Sequence, residues 1–187
     1  MMPSRQEAYA LLGQHTKNQN LIKHALCVEA GMRHYARFFE VDEACWGITG
    51  LLHDFDYEEH PSLDEHPFAG AEILRANNYP EEIIEAILGH ADHTGVPRQS
   101  QMAKTLYAVD ELTGFIVAVA LIRPCKNLAD VPVKSVTKKF KDKAFCRAID
   151  RDHLRAGAEG IGIALVDHVG HVLSALQGIA SDLGLAG

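Results

Sequence analysis

Apolar residues recur at intervals of three and four along nearly every segment of this chain, and this spacing restricts its fold more than any other feature. In the segment QNLIKHALCVEAGMRHYARFF, it places Leu21, Val28 and Met32 on one face of a helix. The segment EACWGITGLLH repeats the pattern after Asp42, whose carboxylate suits a helix N-cap. We find no segment that alternates apolar and polar residues as a half-buried strand would. The spacing therefore predicts an all-α protein.

Further helices are indicated along the rest of the chain. HPFAGAEILRANN and YPEEIIEAILGH carry Pro67 and Pro80 at first-turn positions. QMAKTLYAVDELTGFIVAVALIRP is apolar on most sides, which predicts a central helix that Pro124 ends. A lysine-rich stretch, VKSVTKKFKDKAF, follows it. The remainder, residues 151–184, contains several glycines but keeps the helical spacing. We expect one helical bundle over residues 1–187.

Charge and composition exclude several classes of function. The chain has 187 residues, which suits one domain, and its net charge of -7 disfavours nucleic acid polymers and anionic membranes as partners. Its longest apolar run, LTGFIVAVALI, is too short to cross a bilayer. The four cysteines form no CxxC pair, which favours reduced thiols, and the N-terminal residues lack a signal-peptide core. We expect a soluble, cytoplasmic protein.

Four polar residues stand on otherwise apolar helix faces. Asp110 lies inside the central helix, His24 faces inward on the helix that contains Leu21, and His53-Asp54 ends the apolar run of LLHDFDYEEHP. Taken singly, each has an ordinary explanation: a buried ion pair, a hydrogen-bonded core histidine, or a polar helix end. Together they supply two imidazoles and two carboxylates. That set suits a divalent ion of the first transition row and suits Mg²⁺ less well.

The order of these residues, His then His-Asp then Asp, resembles the HD superfamily of metal-dependent phosphohydrolases. LLHDFDYEEHP is similar to the HDIG-type variant of that motif, with Phe55-Asp56 in place of Ile-Gly. HPFAGAEIL resembles the HxxxGxxxL segment that follows in this subgroup. EEIIEAILGHADH and LYAVDELTGFI resemble the next two helices. The resemblance covers residues 15–125, which we expect to form an HD-type metal-binding core, with residues 126–187 as a C-terminal helical extension.

The resemblance implies a ligand set for a divalent ion (Mn, Fe, Ni, Co, Zn or Mg), namely His24, His53, Asp54 and Asp110. In members of the family with two ions, the residue equivalent to Asp54 bridges them. Those members add histidines at positions that resemble His66 and His90, and they often carry another histidine where this chain has Ala91. We therefore expect one ion, and a second remains open.

The chemistry that this family implies is hydrolysis of a phosphate ester by water that the ion activates, with Asp54 at the catalytic centre. The phosphate also needs positive charge. Arg123 and Lys126, just beyond the helix that carries Asp110, are the candidates. The residues from Asp56 to His60 either assist catalysis or face solvent. We expect His168, His171, Lys138, Lys139, Lys141 and Lys143 to lie on the surface.

Three functions remain open on this basis. The first is a metal-dependent hydrolase of phosphomonoesters or phosphodiesters, with a nucleotide or another small phosphorylated metabolite as substrate. The second is a di-iron HD-type oxygenase similar to myo-inositol oxygenase, which His66 and His90 permit. The third is a metal-stabilised module that binds a nucleotide or a protein without catalysis. The oligomeric state is left open, and the number of ions per chain distinguishes the one-ion, two-ion and metal-free versions.

Overall fold

The computed structural model describes residues 2–187; its regular secondary structure is helical, with no strand among those residues. This confirms the all-α prediction. The ten α-helices are α1 (Arg5–His15), α2 (Gln19–Phe38), α3 (Glu43–Leu52), α4 (Phe68–Ala76), α5 (Glu81–Gly89), α6 (Gln101–Leu121), α7 (Val133–Lys139), α8 (Arg151–Gly160), α9 (Leu165–Gln177) and α10 (Ala180–Leu183). Short 3-10 turns occupy Asp92–Thr94 and Leu128–Asp130.

Side chains at the helix starts explain where several helices begin. The carboxylate of Asp42 accepts the backbone N–H groups of Ala44 and Cys45 at 2.8 and 3.1 Å, as expected of an N-cap. Pro67 and Pro80 occupy the N-cap positions of α4 and α5, one residue before the first turn in which the sequence predicted them. Proline lacks an N–H group, and no intrahelical bond is lost at this position.

Helix α6 forms the centre of the bundle, and its buried face includes Leu106, Leu112 and Phe115. Helices α2, α5, α8 and α9 all pack against it. Small residues allow the closest approaches. Gly50 of α3 lies against the backbone of α2, where a Cβ atom would stand 2.8 Å from the carbonyl oxygen of Val28. These close contacts bring the C-terminal end of α3 and the inner faces of α2 and α6 to one place.

The C-terminal residues do not form one continuous helix. Helix α8 ends at Gly160, and Gly162 follows in the left-handed region with φ of +73°. Helix α9 then begins at Leu165. Helix α8 packs closely on α6, because a Cβ atom at Gly157 would stand 2.7 Å from the Cα of Ala108.

The prediction that His168 lies on the surface is wrong. Its ring is fully buried between α2 and α6. The Tyr35 hydroxyl donates to Nδ1 at 2.5 Å, and Nε2–H donates to the carbonyl of Ala108 at 2.9 Å. Burial lowers the pKa of His168 to about 4. The helical spacing of this segment could not show that a tyrosine from α2 satisfies this histidine.

None of the helices in residues 2–187 has the length and apolar character needed to cross a membrane.

Candidate metal centre

The six residues predicted as metal ligands come together in the structure. Helices α2 and α6 each contribute one of them, and two stand directly after the end of α3. One precedes α4 and one follows α5. They are His24, His53, Asp54, His66, His90 and Asp110. Elements separated in sequence therefore converge on one centre.

Asp54 lies at the middle of this cluster, with one carboxylate oxygen on each side. Its Oδ2 is 3.4 Å from Nε2 of His53 and 3.9 Å from Nε2 of His24. Its Oδ1 is 3.2 Å from Nε2 of His66 and 3.3 Å from Nε2 of His90. Each oxygen thus faces a separate pair of histidines, as a carboxylate between two ions would.

Asp110 completes the Oδ2 side, because its Oδ1 lies 2.9 Å from Nε2 of His24 and 3.4 Å from Nε2 of His53. We call this side the first subsite; it consists of Asp54 Oδ2, His24, His53 and Asp110. The second subsite consists of Asp54 Oδ1, His66 and His90. Ligand atoms that share an ion at about 2.1 Å stand roughly 3.0–3.4 Å apart. Most of the separations in both subsites are close to that range.

The hydrogen bonds of the histidines direct their Nε2 atoms at the centre. We assign Nδ1 of His53 as the donor to the carbonyl of Gly50 at 2.8 Å, and Nδ1 of His66 as the donor to Asp56 at 2.9 Å. Nδ1 of His90 likewise donates to a backbone carbonyl. In the neutral form of each ring, Nε2 then carries a lone pair, as a metal ligand requires. Nε2 of His53 is buried and has no hydrogen-bond partner among the described residues. A cation in the first subsite would satisfy that atom, so the residues present fit a metal ion.

Electrostatics favour positive charge in the centre. Burial alone lowers the pKa of His53, but the carboxylates of Asp54 and Asp110 outweigh it and hold this pKa well above its ordinary value. The pKa of His66 rises to about 9, because its carboxylate partners likewise outweigh burial. For Asp110, burial raises the pKa, but the neighbouring imidazoles hold it well below the ordinary value. Protons or divalent ions can supply the charge that these carboxylates favour.

The residues that differ from the HDIG pattern have structural roles. Phe55 is fully buried in the core. Asp56 is 1% exposed, and its carboxylate accepts from Nδ1 of His66 and, at 2.8 Å, from the backbone N–H of Gly70. Asp56 therefore orients a second-subsite ligand without itself facing the centre.

The two glutamates of this stretch contact other parts of the chain and not the centre. Glu58 accepts the backbone N–H groups of Lys17 and Asn18 at 2.7 and 2.9 Å. Glu59 lies 2.7 Å from Nδ1 of His15. These two residues tie the loop to α1 and the start of α2, so they have no contact that implies a catalytic role.

A cavity of about 580 Å³ opens over the cluster, and we call it the metal cavity. Its lining includes Glu111 and His153, neither of which was predicted from the sequence. Glu111 adjoins Asp110, and burial raises its pKa. The ring of His153 stacks on Tyr107 with 3.8 Å between centroids. Glu111 could have been proposed from the sequence, because it directly follows the predicted ligand Asp110. Nothing in the sequence indicated that α8 would place a histidine here.

Arg123 and Lys126, predicted to bind phosphate, are not brought to the metal cavity. Neither is among its lining residues. Arg123 stands 13 positions after Asp110, which corresponds to about 20 Å along a helix. It lies 3.5 Å from the hydroxyl of Ser135, and Lys126 is exposed. Among the described residues, no lysine or arginine lines this cavity.

Comparison with known proteins places this geometry in a family. The family model described as HD domain matches residues 21–114, half of the chain, and this range contains all six residues of the cluster. Ribonuclease Y from Lawsonia intracellularis (strain PHE/MN1-00) is 32% identical over 97 residues. That match covers 51% of this chain and 18% of the relative, so the chain spans less than a fifth of that protein's length. No solved structure gives a significant match. With a family model that matches half of its length, this chain belongs to the HD domain family.

Proposed function

We propose that this protein is a metal-dependent hydrolase of a small phosphorylated molecule and that its centre holds two divalent ions. The observation that carries the proposal is the position of Asp54, whose two oxygens face separate pairs of histidines. Two carboxylates and four imidazoles are enough for two ions that share one bridging carboxylate. The imidazole-rich set favours Mn, Fe, Co, Ni or Zn over Mg.

Bound ions would polarise a phosphoryl oxygen and activate water for attack on phosphorus. The chain itself fixes where this happens. His53, fully buried, and Asp110, 16% exposed at its side chain, hold the inner side of the first subsite. His24 and Asp54, each about one-quarter exposed, border the metal cavity. The ligands therefore form the floor of the cavity, and the substrate binds on the open side.

The C-terminal extension, residues 126–187, is expected to complete this site and not to act as a separate domain. Helix α8 packs on α6 and places His153 in the wall of the metal cavity. Glu111, from α6 itself, lines the same cavity. Both side chains can carry a proton, and we propose that the leaving group receives its proton from one of them.

A small substrate is favoured over a nucleic acid polymer. The metal cavity has no lysine or arginine among its lining residues, and the chain carries a net charge of -7. Proteins that bind a nucleic acid backbone use several cationic side chains for it. The similarity to ribonuclease Y makes hydrolysis of an RNA phosphodiester the second candidate. A short RNA therefore belongs in the substrate panel.

The test is turnover by protein that has been stripped of metal and reloaded with one ion type at a time. The panel contains 4-nitrophenyl phosphate, its bis-ester, nucleoside monophosphates and a short RNA. We expect hydrolysis of at least one monoester that depends on Mn, Co, Ni, Fe or Zn. His66→Ala should abolish it, and Glu59→Gln, in the same loop but outside the centre, should retain it.

Two results would reject the proposal. One is the absence of turnover across the panel while ions are bound, which would favour a metal-stabilised binding module. The other is oxygen consumption by the iron-loaded protein without phosphate release, which would favour a di-iron oxygenase. Cleavage of the RNA alone would reject the small-molecule substrate and support the second candidate.

A further inference from the structure

A second cavity, of about 390 Å³, adjoins the metal cavity. We call it the side cavity. The two cavities share His24 and Gly114 in their walls, so they lie side by side along α2 and α6. The other residues that line the side cavity are Asn20, Lys23, Cys27, Val117, Leu121, Leu183 and Leu185.

Three parts of the chain enclose the side cavity. Helix α6 contributes Gly114, Val117 and Leu121, which follow Asp110 at helical spacing on the same stripe. Helix α2 contributes a stripe that contains His24. The end of the chain closes the third side, where the N–H of Leu185 donates to Ala180 and its carbonyl accepts from Leu128, at 2.8 and 2.9 Å. The C-terminal wall is thus fixed by backbone hydrogen bonds.

The side cavity and the metal cavity differ in chemistry. Leu183 and Leu185 are buried in the wall of the side cavity and Val117 is half-buried there, whereas Asn20, Lys23 and Leu121 are exposed at its edge. Lys23 is the one lysine or arginine among the described residues that line either cavity. Such a pocket suits an apolar group that has a polar or anionic edge.

Gly114 lies where the two cavities meet. It stands one helical turn after Asp110, and a Cβ atom built on it would meet no atom within 4 Å. The space next to Gly114 is therefore open, and the first atom of a side chain introduced there would have no close contact. His24, the other shared residue, belongs to the proposed first subsite, so the side cavity begins next to the metal centre.

We propose that the side cavity binds the alcohol part of the substrate and selects phosphate esters of an apolar or aromatic ring about as large as a nucleobase. This inference rests on the proposed function, since it assumes that the phosphate binds at the metal centre. The ring lies between α2 and α6 against the C-terminal leucines, and its polar edge faces Lys23. Esters of small polar alcohols do not use this surface.

Gly114→Leu is the direct test, because the leucine side chain would extend into the space where the two cavities meet. Gly114→Ala is the matched control. The kcat/KM values for 1-naphthyl phosphate and glycerol 2-phosphate are measured on the metal-loaded protein. For each variant, the kcat/KM for 1-naphthyl phosphate is divided by that for glycerol 2-phosphate, and this ratio is compared with the wild-type ratio. The comparison cancels the different leaving-group reactivity of the two esters. We expect Gly114→Leu to lower this ratio about tenfold or more and Gly114→Ala to change it less than threefold. Leu121→Gln, an exposed substitution, should lower it several-fold.

Binding gives a readout that is independent of turnover. Calorimetry on the metal-loaded protein compares benzylphosphonate with methylphosphonate, neither of which is hydrolysed. Burial of the ring should make benzylphosphonate bind about tenfold tighter to the wild type, roughly the effect of two buried methylene groups. Gly114→Leu should remove this difference while methylphosphonate still binds.

The outcomes separate the two proposals. Turnover of both esters, with ratios and phosphonate affinities unchanged in the Gly114→Leu and Leu121→Gln variants, overturns the side-cavity inference and leaves the proposed function intact. No turnover and no binding of either phosphonate overturns both. A dimer in light scattering that Leu121→Gln dissociates, with unchanged ratios, shows that a second copy covers the cavity and also overturns the inference.

Discussion

The carboxylate of Asp56 accepts a hydrogen bond from Nδ1 of His66 at 2.9 Å, although the acidic character of the segment around it suggested exposure to solvent. The same carboxylate accepts from the backbone N–H of Gly70 in α4, so α4 and the loop after α3 are held together. This contact fixes the direction of Nε2 of His66 toward Asp54. Asp56, which stands where the HDIG pattern has glycine, therefore helps to set the geometry of the second subsite.

Asp56→Asn should weaken the second ion selectively. The amide keeps an acceptor but loses the negative charge that supports His66, and such outer-shell changes reduce metal affinity about 10- to 100-fold. Titration with a chelator as competitor measures the affinity of each ion. Glu59→Gln, at an exposed position of the same loop, serves as the control and should leave both affinities within about twofold of the wild type. Equal loss of both ions in Asp56→Asn would contradict the assignment of Asp56 to the second subsite.

Gly157→Ala should destabilise the attachment of α8 to α6. The added Cβ would stand 2.7 Å from the Cα of Ala108, which is backbone and cannot move aside. We expect a loss of about 1–3 kcal/mol in the free energy of unfolding, typical of overpacking. Gly160→Ala, in the same helix with no atom within 4 Å of the new Cβ, should be neutral or stabilising by up to about 1 kcal/mol. Urea unfolding measures both; equal stabilities would show that α8 does not pack this closely on α6.

The stability of the metal-free protein should reach its maximum near pH 6.5. The folded pKa of His66, about 9, lies above the ordinary value of 6.5, so its contribution is complete below pH 6.5 and is lost as the pH rises through 9. The folded pKa of His168, about 4, lies below the ordinary value, so its contribution is present above pH 6.5 and is lost as the pH falls toward 4. The second effect amounts to about 3 kcal/mol.

Urea unfolding between pH 4.5 and 9 in the presence of a chelator measures this profile. His168→Gln, which removes the titrating group, should flatten the acid side, and Asp56→Asn should flatten part of the alkaline side. A wild-type stability that does not change between pH 6.5 and pH 5 would contradict the burial of a neutral histidine at position 168.

The sequence was sufficient to predict the fold class and to select six residues that the structure brings together. Helical spacing predicted α2, α3, α5 and α6 within a few residues. His24 and Asp110 could be identified because a polar group on an apolar face of a helix needs a partner. The match to the HD domain over residues 21–114 agrees with this interpretation.

The parts that sequence reasoning did not reach depend on contacts between distant segments. Arg123 was chosen for its charge and its position after a helix, but the length of that helix carries it away from the metal cavity. His153 lines the metal cavity because α8 packs on α6. His168 is buried between α2 and α6, where Tyr35 and Ala108 satisfy its ring nitrogens. Helical spacing predicts which face of a helix is apolar but does not identify the helix that covers it.

The most direct test of the two-ion centre is the number of ions bound per chain, measured by elemental analysis after reconstitution with Mn, Fe, Co, Ni or Zn. We expect two ions in the wild type, one in His66→Ala, and fewer than one in Asp54→Ala, because only the last variant removes a ligand from both subsites. Circular dichroism confirms that each variant remains folded. A wild type that binds one ion or none under these conditions, or an Asp54→Ala variant that retains two, would contradict the account.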